Sequence, residues 1–264
     1  MSICIGCAGH PSEAGALKRA GFDYLEVNIS QLVAACDSDV TIMQRQLCES
    51  GLPVLAGNCF LPGDWPLGGA GFDEEKNRVY IEKAAARLQA LGASIAVLGS
   101  GGARRLQKEY GENRGKEQFR LFFAMASAIM GEKGIRVVIE PLNRKESNYI
   151  LSVPEAMAIA QAVDSPFGGV LCDYYHMGQE GESPAVLPAV KSRLWHCHIA
   201  HPVTRQAPLP RDGGGYEGFA KALSQCGYEG GVTFEGNRPA SEETLAQSAL
   251  YMKTLFQGVL YAAR

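Results

Sequence analysis

Four polar side chains stand at the ends of four successive apolar segments in the second half of this 264-residue chain. They are Glu140, Asp173, His198 and Glu235, separated by 33, 25 and 37 residues. Three carboxylates that meet at one point repel one another and raise one another's pKa unless a cation lies among them. If the fold brings these side chains together, they predict a binding site for one divalent metal ion.

The chemistry of these ligands indicates which ion would bind. One imidazole nitrogen and the oxygens of three carboxylates form a hard, oxygen-rich set, which favours Mn²⁺ or Mg²⁺ and is also compatible with Co²⁺ or Zn²⁺. A lone carboxylate at a strand end is more often a helix cap, but four consecutive ones favour a metal site. We expect His196 and His198 to lie on different sides of their strand, so that at most one reaches the site while the other packs or supports a ligand.

The segments that carry these residues repeat through the whole chain. Short runs rich in Val, Ile and Leu alternate with longer segments whose apolar residues recur every three or four positions, which predicts strands alternating with amphipathic helices. The predicted strands cover residues 3–7, 24–28, 53–58, 94–98, 136–140, 169–173, 194–199 and 231–235. Eight such units predict an α/β fold, a single (β/α)₈ TIM-barrel domain over residues 1–264, whose strand ends share one catalytic mouth.

The helical period is clearest in residues 73–91 and near the C-terminus. The C-terminal apolar stripe consists of Leu245, Ala249, Met252, Phe256 and Val259. Several helices are predicted to end at a glycine, namely Gly21, Gly51, Gly92 and Gly227. An open doubly wound sheet is the alternative fold, but no glycine-rich dinucleotide loop follows the first strand.

Composition argues against several classes of partner. The net charge is −3 and no run of five like charges exists, so nucleic acid is not an expected partner. No apolar run of eighteen residues exists, which argues against a membrane span. Residues 1–10 lack Lys and Arg, and the eight cysteines are spread without a secretory signal, so we expect a reduced, cytoplasmic protein. Cys4 and Cys7 have redox-motif spacing, but no second pair follows, so we interpret them as structural.

Four motifs carry a resemblance to a known family: IEPLNR at 139–144, LCDYYHM at 171–177, HCH at 196–198 and FEGN at 234–237. In this order, they resemble the xylose-isomerase-like TIM-barrel sugar phosphate isomerase/epimerase superfamily, and within it most closely the D-tagatose 3-epimerase and hydroxypyruvate isomerase branch. The match extends from about residue 134 to 238, whereas the first half agrees only in general style, as in residues 21–26.

The resemblance implies roles for the strand-end residues. Glu140, Asp173, His198 and Glu235 would be the metal ligands, and Glu140 and Glu235 would also form the catalytic acid/base pair. The metal would act as a Lewis acid that stabilises an enediolate while the glutamates move a proton next to a carbonyl.

The resemblance also implies residues that bind the substrate. Glu146, six residues after the first ligand, and His176, three residues after the aspartate, match family substrate-binding positions. A loop arginine follows the histidine ligand in the family, and here Arg205 is the prediction, with Arg211 as the alternative.

The predicted function is therefore a metal-dependent sugar isomerase or epimerase acting on a small sugar or a sugar-like hydroxy-carbonyl compound. A dehydratase of the inosose type on the same site is the alternative. An endonuclease IV-like DNA-repair enzyme is less favoured, because the additional metal ligands that it carries on the early strands are missing here. A barrel that binds a sugar without converting it is also less favoured. Relatives commonly pair through barrel faces, so the resemblance also allows a homo-oligomer.

Overall fold

The computed structural model of the chain describes residues 3–239 and 241–262, with side chains described up to residue 256. The strands are β1 (Cys4–Ala8), β2 (Tyr24–Asn28), β3 (Val54–Asn58), β4 (Ile95–Leu98), β5 (Arg136–Ile139), β6 (Gly168–Asp173), β7 (Leu194–Ile199) and β8 (Gly231–Phe234). Each strand pairs in parallel with the next along the chain, and β8 closes the barrel on β1. The predicted single (β/α)₈ barrel is confirmed, although the predicted domain limits at residues 1 and 264 lie outside the described residues.

The predicted strand boundaries agree with the structure to within one residue at each end. The predictions for β2 and β7 match the observed bounds, whereas β1 begins and ends one residue later than predicted. Glu140 and Glu235 were predicted as the last strand residues but follow directly after β5 and β8. Their backbone N–H groups still bond to Leu98 and Ile199 of the neighbouring strands, so both residues remain fixed to the barrel rim.

At least one helix follows every strand on the outside of the barrel. The helices are α1 (Ala14–Ala20), α2 (Ile29–Ala34), α3 (Asp37–Ser50), α4 (Glu74–Leu91), α5 (Glu112–Gly131), α6 (Val153–Val163), α7 (Tyr174–Glu180), α8 (Leu187–Val190), α9 (Tyr216–Gln225) and α10 (Glu242–Ala262). Gly21, Gly51 and Gly92 end α1, α3 and α4 with φ of 99°, 64° and 82°, a left-handed conformation that costs least at glycine. Of the predicted stripe on α10, the four residues up to Phe256 are buried, and the side chain of Val259 lies outside the described residues.

Two layers of apolar side chains form the core, because alternate strand residues face opposite sides of the barrel wall. A small cluster fills the barrel interior and consists of Ala56, Ile95, Val97, Val138 and Leu171. The larger cluster joins the outer faces of the strands to the helices. Higher in the interior, towards the C-terminal ends of the strands, buried polar side chains such as Glu26, His196 and Thr233 replace apolar ones. In residues 3–239 and 241–262, no helix has the length and apolar character needed to cross a membrane.

Candidate metal centre and active site

The four strand-end residues of the sequence prediction meet at the C-terminal mouth of the barrel. One ligand atom from each of Glu140, Asp173, His198 and Glu235 lies within 4.8 Å of all the others. These four residues are called the carboxylate cluster below. The fold brings them together because β5 to β8 are neighbouring strands of the barrel. Asp173 and His198 are also directly paired in the register of β6 and β7.

Burial makes it unfavourable for all the carboxylates of the cluster to be charged at the same time. Asp173 and His198 are almost completely buried, and Glu140 is 5 % exposed. Burial, followed by the charge of Glu140, raises the pKa of Asp173 to about 8, and burial raises the pKa of Glu140 as well. Burial alone would lower the pKa of His198, but the carboxylates of Glu26 and Glu140 raise it well above its usual range. The carboxylates of the cluster therefore need a positive charge among them.

A divalent cation fits this set of donors. Asp173 uses Oδ1 to accept the backbone N–H of Tyr175 at 2.8 Å, whereas its buried Oδ2 has no hydrogen-bond partner among the described residues. A buried carboxylate oxygen without a donor is costly, and a cation in the cluster would satisfy it. The Nδ1 atom of His198 lies 2.8 Å from Glu140 Oε1 and 3.9 Å from Glu235 Oε2, so this nitrogen faces the same point. The residues present are thus a suitable ligand set for a hard divalent ion.

The two histidines of β7 both face the barrel interior. The prediction that they lie on different sides of the strand is wrong, because residues two apart share a face. His198 belongs to the carboxylate cluster, whereas His196 lies deeper and contacts Glu26 through Nε2 at 2.8 Å. One histidine therefore reaches the cluster and the other supports it from below.

The three predicted substrate-binding residues stand beside the carboxylate cluster. Arg205 donates from Nη2 to Glu235 Oε2 and from Nη1 to Glu146 Oε1, each at 3.0 Å, and its guanidinium stacks 4.7 Å from the ring centroid of Tyr175. Arg211 is exposed, so Arg205 is the arginine that reaches this region. Its backbone adopts a left-handed φ of 57°, an uncommon conformation for a non-glycine residue.

His176 is held in one tautomer. The backbone N–H of Asn143 donates to His176 Nδ1 at 3.2 Å, and the Asn143 side-chain nitrogen lies 2.9 Å from the same atom. A backbone N–H can only donate, so Nδ1 is the acceptor and Nε2 carries the proton. Burial, followed by the charges of Arg205 and His198, lowers the pKa of His176 to about 2. The ring is therefore a neutral donor whose Nε2, 3.4 Å from Asp173 Oδ2, has no hydrogen-bond partner among the described residues.

A cavity of about 320 Å³ opens above the carboxylate cluster. It is lined by Asn28, Ser30, Cys59, Leu61, Pro62, Gly63, Ser100, Gly101, Glu140, Leu142, Glu146, His176, Arg205 and Glu235. Cys59 and Ser100, in the loops after β3 and β4, have positive φ of 47° and 40°, so this part of the cavity wall is strained backbone held by its surroundings. This cavity is the space in which a small ligand would meet the cluster.

Sequence reasoning did not assign several residues that organise this region. Glu26 bonds to both histidines of β7, and Asn143 bonds to both His176 and Glu146. Asn58 donates to Glu235 Oε1 at 3.0 Å. The available signal was a charged or amide side chain within an apolar strand, a pattern that marks Glu26 and Asn58 as unusual but does not show which side chains they contact.

The chain was compared with known proteins by sequence. The L-ribulose 3-epimerase of Methylomonas sp. (strain DH-1) is 29% identical over 247 residues, which cover 86% of this chain and 80% of that protein. The probable ketose 3-epimerase of Synechocystis sp. is 28% identical over 138 residues, and this match covers 50% of the present chain and only 46% of the relative. Both relatives are named as epimerases, which belong to the isomerase class.

A solved structure and a family model each match nearly the whole barrel. The crystal structure of D-allulose 3-epimerase from Methylomonas sp. in complex with D-allulose superposes with a TM-score of 0.80 at 22% identity, over 95% of this chain and 96% of that chain. At this identity the likeness establishes the fold. The family model described as the xylose isomerase-like TIM barrel matches residues 14–255, and the chain belongs to that family.

Proposed function

We propose that this protein is a divalent-metal-dependent sugar epimerase that inverts carbon 3 of a free ketose. The observation that carries the proposal is the carboxylate cluster, in which two glutamates meet Asp173 and His198 closely enough to hold a cation, beside a cavity of about 320 Å³. Glu140, Asp173, His198 and Glu235 would hold the ion. When bound, a divalent ion supplies Lewis-acid charge that lowers the cost of forming an anion next to a carbonyl.

The proton transfer falls to Glu140 and Glu235. One carboxylate removes the proton from carbon 3, the C–H electron pair becomes part of a carbon–carbon double bond, and the neighbouring carbonyl oxygen takes the negative charge. The other glutamate then returns a proton to the opposite face of the same carbon, which restores the carbonyl and inverts the centre. Positioned acid/base groups of this kind contribute roughly 10²- to 10⁴-fold in rate.

The remaining polar residues are suited to orienting a neutral sugar. The Nε2–H of His176 can donate to a sugar oxygen, while Glu146 can accept from a hydroxyl. Among the described residues that line the cavity, Arg205 is the one cationic side chain, and its guanidinium already bonds to Glu146 and Glu235. Apart from a bound ion, a phosphate group would meet three lining carboxylates and no uncommitted cation among these residues, so the electrostatics favour an unphosphorylated substrate over a sugar phosphate or a DNA backbone.

The cavity also argues against covalent catalysis by a thiol. Cys59 lines the cavity, but burial, followed by the charges of Glu235 and Glu140, raises its pKa to about 12. A thiol in this environment stays protonated and is a poor nucleophile.

The named relatives support carbon 3 of a ketose as the reacting centre, because both sequence matches are called 3-epimerases.

The test is to incubate Mn²⁺-loaded protein in D₂O with D-allulose, D-fructose, D-tagatose, L-ribulose, hydroxypyruvate and inososes, and to follow each carbon by NMR. We expect deuterium at carbon 3 of a ketose together with formation of its C3 epimer. Deuterium at carbon 2 of an aldose product, or at carbon 1 of the recovered ketose, would instead identify an aldose-ketose isomerase, and loss of a hydroxyl would identify a dehydratase. If no deuterium enters any carbon of these compounds, the proposal is wrong.

A further inference from the structure

One fully buried carboxylate lies directly beneath the carboxylate cluster. Glu26, in the middle of β2, is 0 % exposed, and so are His196 and His198, which both contact it. Its Oε1 lies 2.8 Å from His198 Nε2, and its Oε2 lies 2.8 Å from His196 Nε2. Thr233 donates to Oε2 at 2.5 Å. A buried carboxylate with this many donors is fixed in both position and orientation.

The hydroxyl groups near Glu26 donate their hydrogen bonds in one direction, towards its carboxylate. Because the Thr233 hydroxyl donates its proton to Glu26, the Tyr24 hydroxyl, 2.8 Å from Thr233 Oγ1, must be the donor in the Tyr24–Thr233 contact. Thr233 and His196 thus hold Oε2 of Glu26, Tyr24 supports Thr233, and Oε1 is left for His198. Burial raises the pKa of Glu26, but the charges of His198 and His196 outweigh burial and bring it below its usual range.

The contact with His198 decides which nitrogen of that ring can bind a cation. The Nδ1 atom of His198 faces the carboxylate cluster and Nε2 faces Glu26. A neutral imidazole has one N–H and one lone pair, and its tautomer is set by the partner of the nitrogen that is not a ligand. Glu26 keeps a proton on Nε2, so Nδ1, which faces Glu140 at 2.8 Å, is the nitrogen that can exchange its proton for an ion and present its lone pair to it.

We propose that Glu26 is a positioning residue that holds His198 with its Nδ1 lone pair towards the metal centre. This inference rests on the metal site of the proposed function. Glu26, His196 and His198 also lie close enough to suggest a second ion site. However, both Glu26 oxygens already accept N–H or O–H donors, and the Nε2 atoms of the two histidines are those donors, so these three residues form a support for the first site.

The test compares Glu26→Gln with wild-type protein by titrating chelator-treated protein with Mn²⁺ and following free Mn²⁺ by electron paramagnetic resonance. Loss of such a supporting carboxylate typically weakens metal binding by roughly 10- to 100-fold, and we expect a rise in Kd of this size. The matched control is Thr233→Val, which removes a donor from the far oxygen of Glu26 and leaves the His198 contact in place. We expect its Kd to change several-fold less. Circular dichroism at the titration temperature checks that each variant is folded.

A second measurement needs no variant. In wild-type protein loaded with diamagnetic Zn²⁺, long-range ¹H–¹⁵N correlation spectra identify which nitrogen of each histidine carries a proton. We expect a proton on His198 Nε2 and metal on Nδ1. Metal on Nε2, or an unchanged Mn²⁺ Kd in folded Glu26→Gln protein, would overturn the inference and leave the proposed epimerase intact. Failure of wild-type protein to bind Mn²⁺ would contradict both.

Discussion

At the scale of single residues, the proposed chemistry depends on two glutamates with different surroundings. Glu140 is buried against His198, with its side-chain oxygen 2.8 Å from Nδ1. Glu235 lies nearer the cavity and is held by Asn58 at one oxygen and Arg205 at the other, each at 3.0 Å. Both side chains can reach a ligand in the cavity that their atoms line.

Replacing either glutamate by glutamine tests the acid/base assignment. Glu140→Gln and Glu235→Gln keep the size of the side chain but remove its ability to exchange a proton, so we expect kcat/KM for the preferred ketose to fall by at least about 10²- to 10⁴-fold. Steady-state kinetics with Mn²⁺ at saturation measure the effect, because saturation separates lost proton transfer from weakened metal binding.

Glu132→Gln serves as the control for this experiment. Glu132 is exposed in the turn between α5 and the start of β5, at the opposite end of the strand from the cluster, and its substitution should leave kcat/KM unchanged. Full activity of both active-site variants at saturating Mn²⁺ would mean that other groups move the proton.

At the scale of secondary-structure elements, the end of β4 is shaped around the side chain that follows β5. Gly99 directly follows β4, and a Cβ atom added there would lie 2.2 Å from Glu140 Oε2. The buried guanidinium of Arg104 reinforces the same junction, since it donates to the carbonyl of Glu140 at 2.7 Å and to that of Ile150 at 3.2 Å. The loop after β4 therefore fixes both the backbone and the side chain of Glu140.

We expect Gly99→Ala to impair catalysis without unfolding the barrel. The added methyl group must displace the Glu140 carboxylate, and a misplacement of about 1 Å can cost on the order of 10²-fold in rate. Measurements of kcat/KM and of the melting temperature report catalysis and stability separately. In the matched control, Gly218→Ala, the new methyl group meets no atom within 4 Å on α9, so stability should rise slightly and activity stay the same. Equal activity of both variants would show that Glu140 tolerates the displacement.

The element pattern of this fold was readable from sequence because it depends on local periodicity. Parallel strands buried on both faces read as apolar runs, and the polar residue that closes each run marks the catalytic mouth. Asp173 and Glu235 were found in this way. Glu26 was not, because a single charge inside a strand does not reveal which side chains meet it across the barrel. The distance of His196 and His198 from Glu26 depends on barrel closure, which no local pattern encodes.

At the scale of the whole molecule, the barrel holds several carboxylates close together at its buried mouth, where they cannot all be charged without protons or a cation among them. Apolar side chains fill the lower interior, and above them come the Glu26 contacts and then the carboxylate cluster. These buried polar side chains bond mainly to other protein groups, so solvent would screen the field of a bound ion only weakly. Divalent metal should therefore affect the stability of the entire fold and not only the activity.

Metal addition should stabilise the protein more at pH 8 than at pH 6. The pKa of Asp173 is raised to about 8 in the folded chain, above an unfolded value of about 3.9, so its contribution to stability is complete at low pH and is lost as pH rises towards 8. The raised pKa of His198 acts in the same direction. Chelator-treated protein should thus melt at a lower temperature at pH 8. A bound metal ion takes the place of the protons on Asp173 and His198 and removes this loss of stability.

Thermal unfolding with and without Mn²⁺ at both pH values measures this difference. At Mn²⁺ about 100-fold above Kd, binding contributes about 2.7 kcal/mol, or roughly 5 °C in melting temperature for a chain of this size. Asp173→Asn is the control, because its amide oxygen can still accept the Tyr175 N–H while the titrating ligand is lost. That variant should show a smaller Mn²⁺ shift and a weaker pH dependence. A wild-type shift that is the same at both pH values would mean that the cluster does not exchange protons for metal.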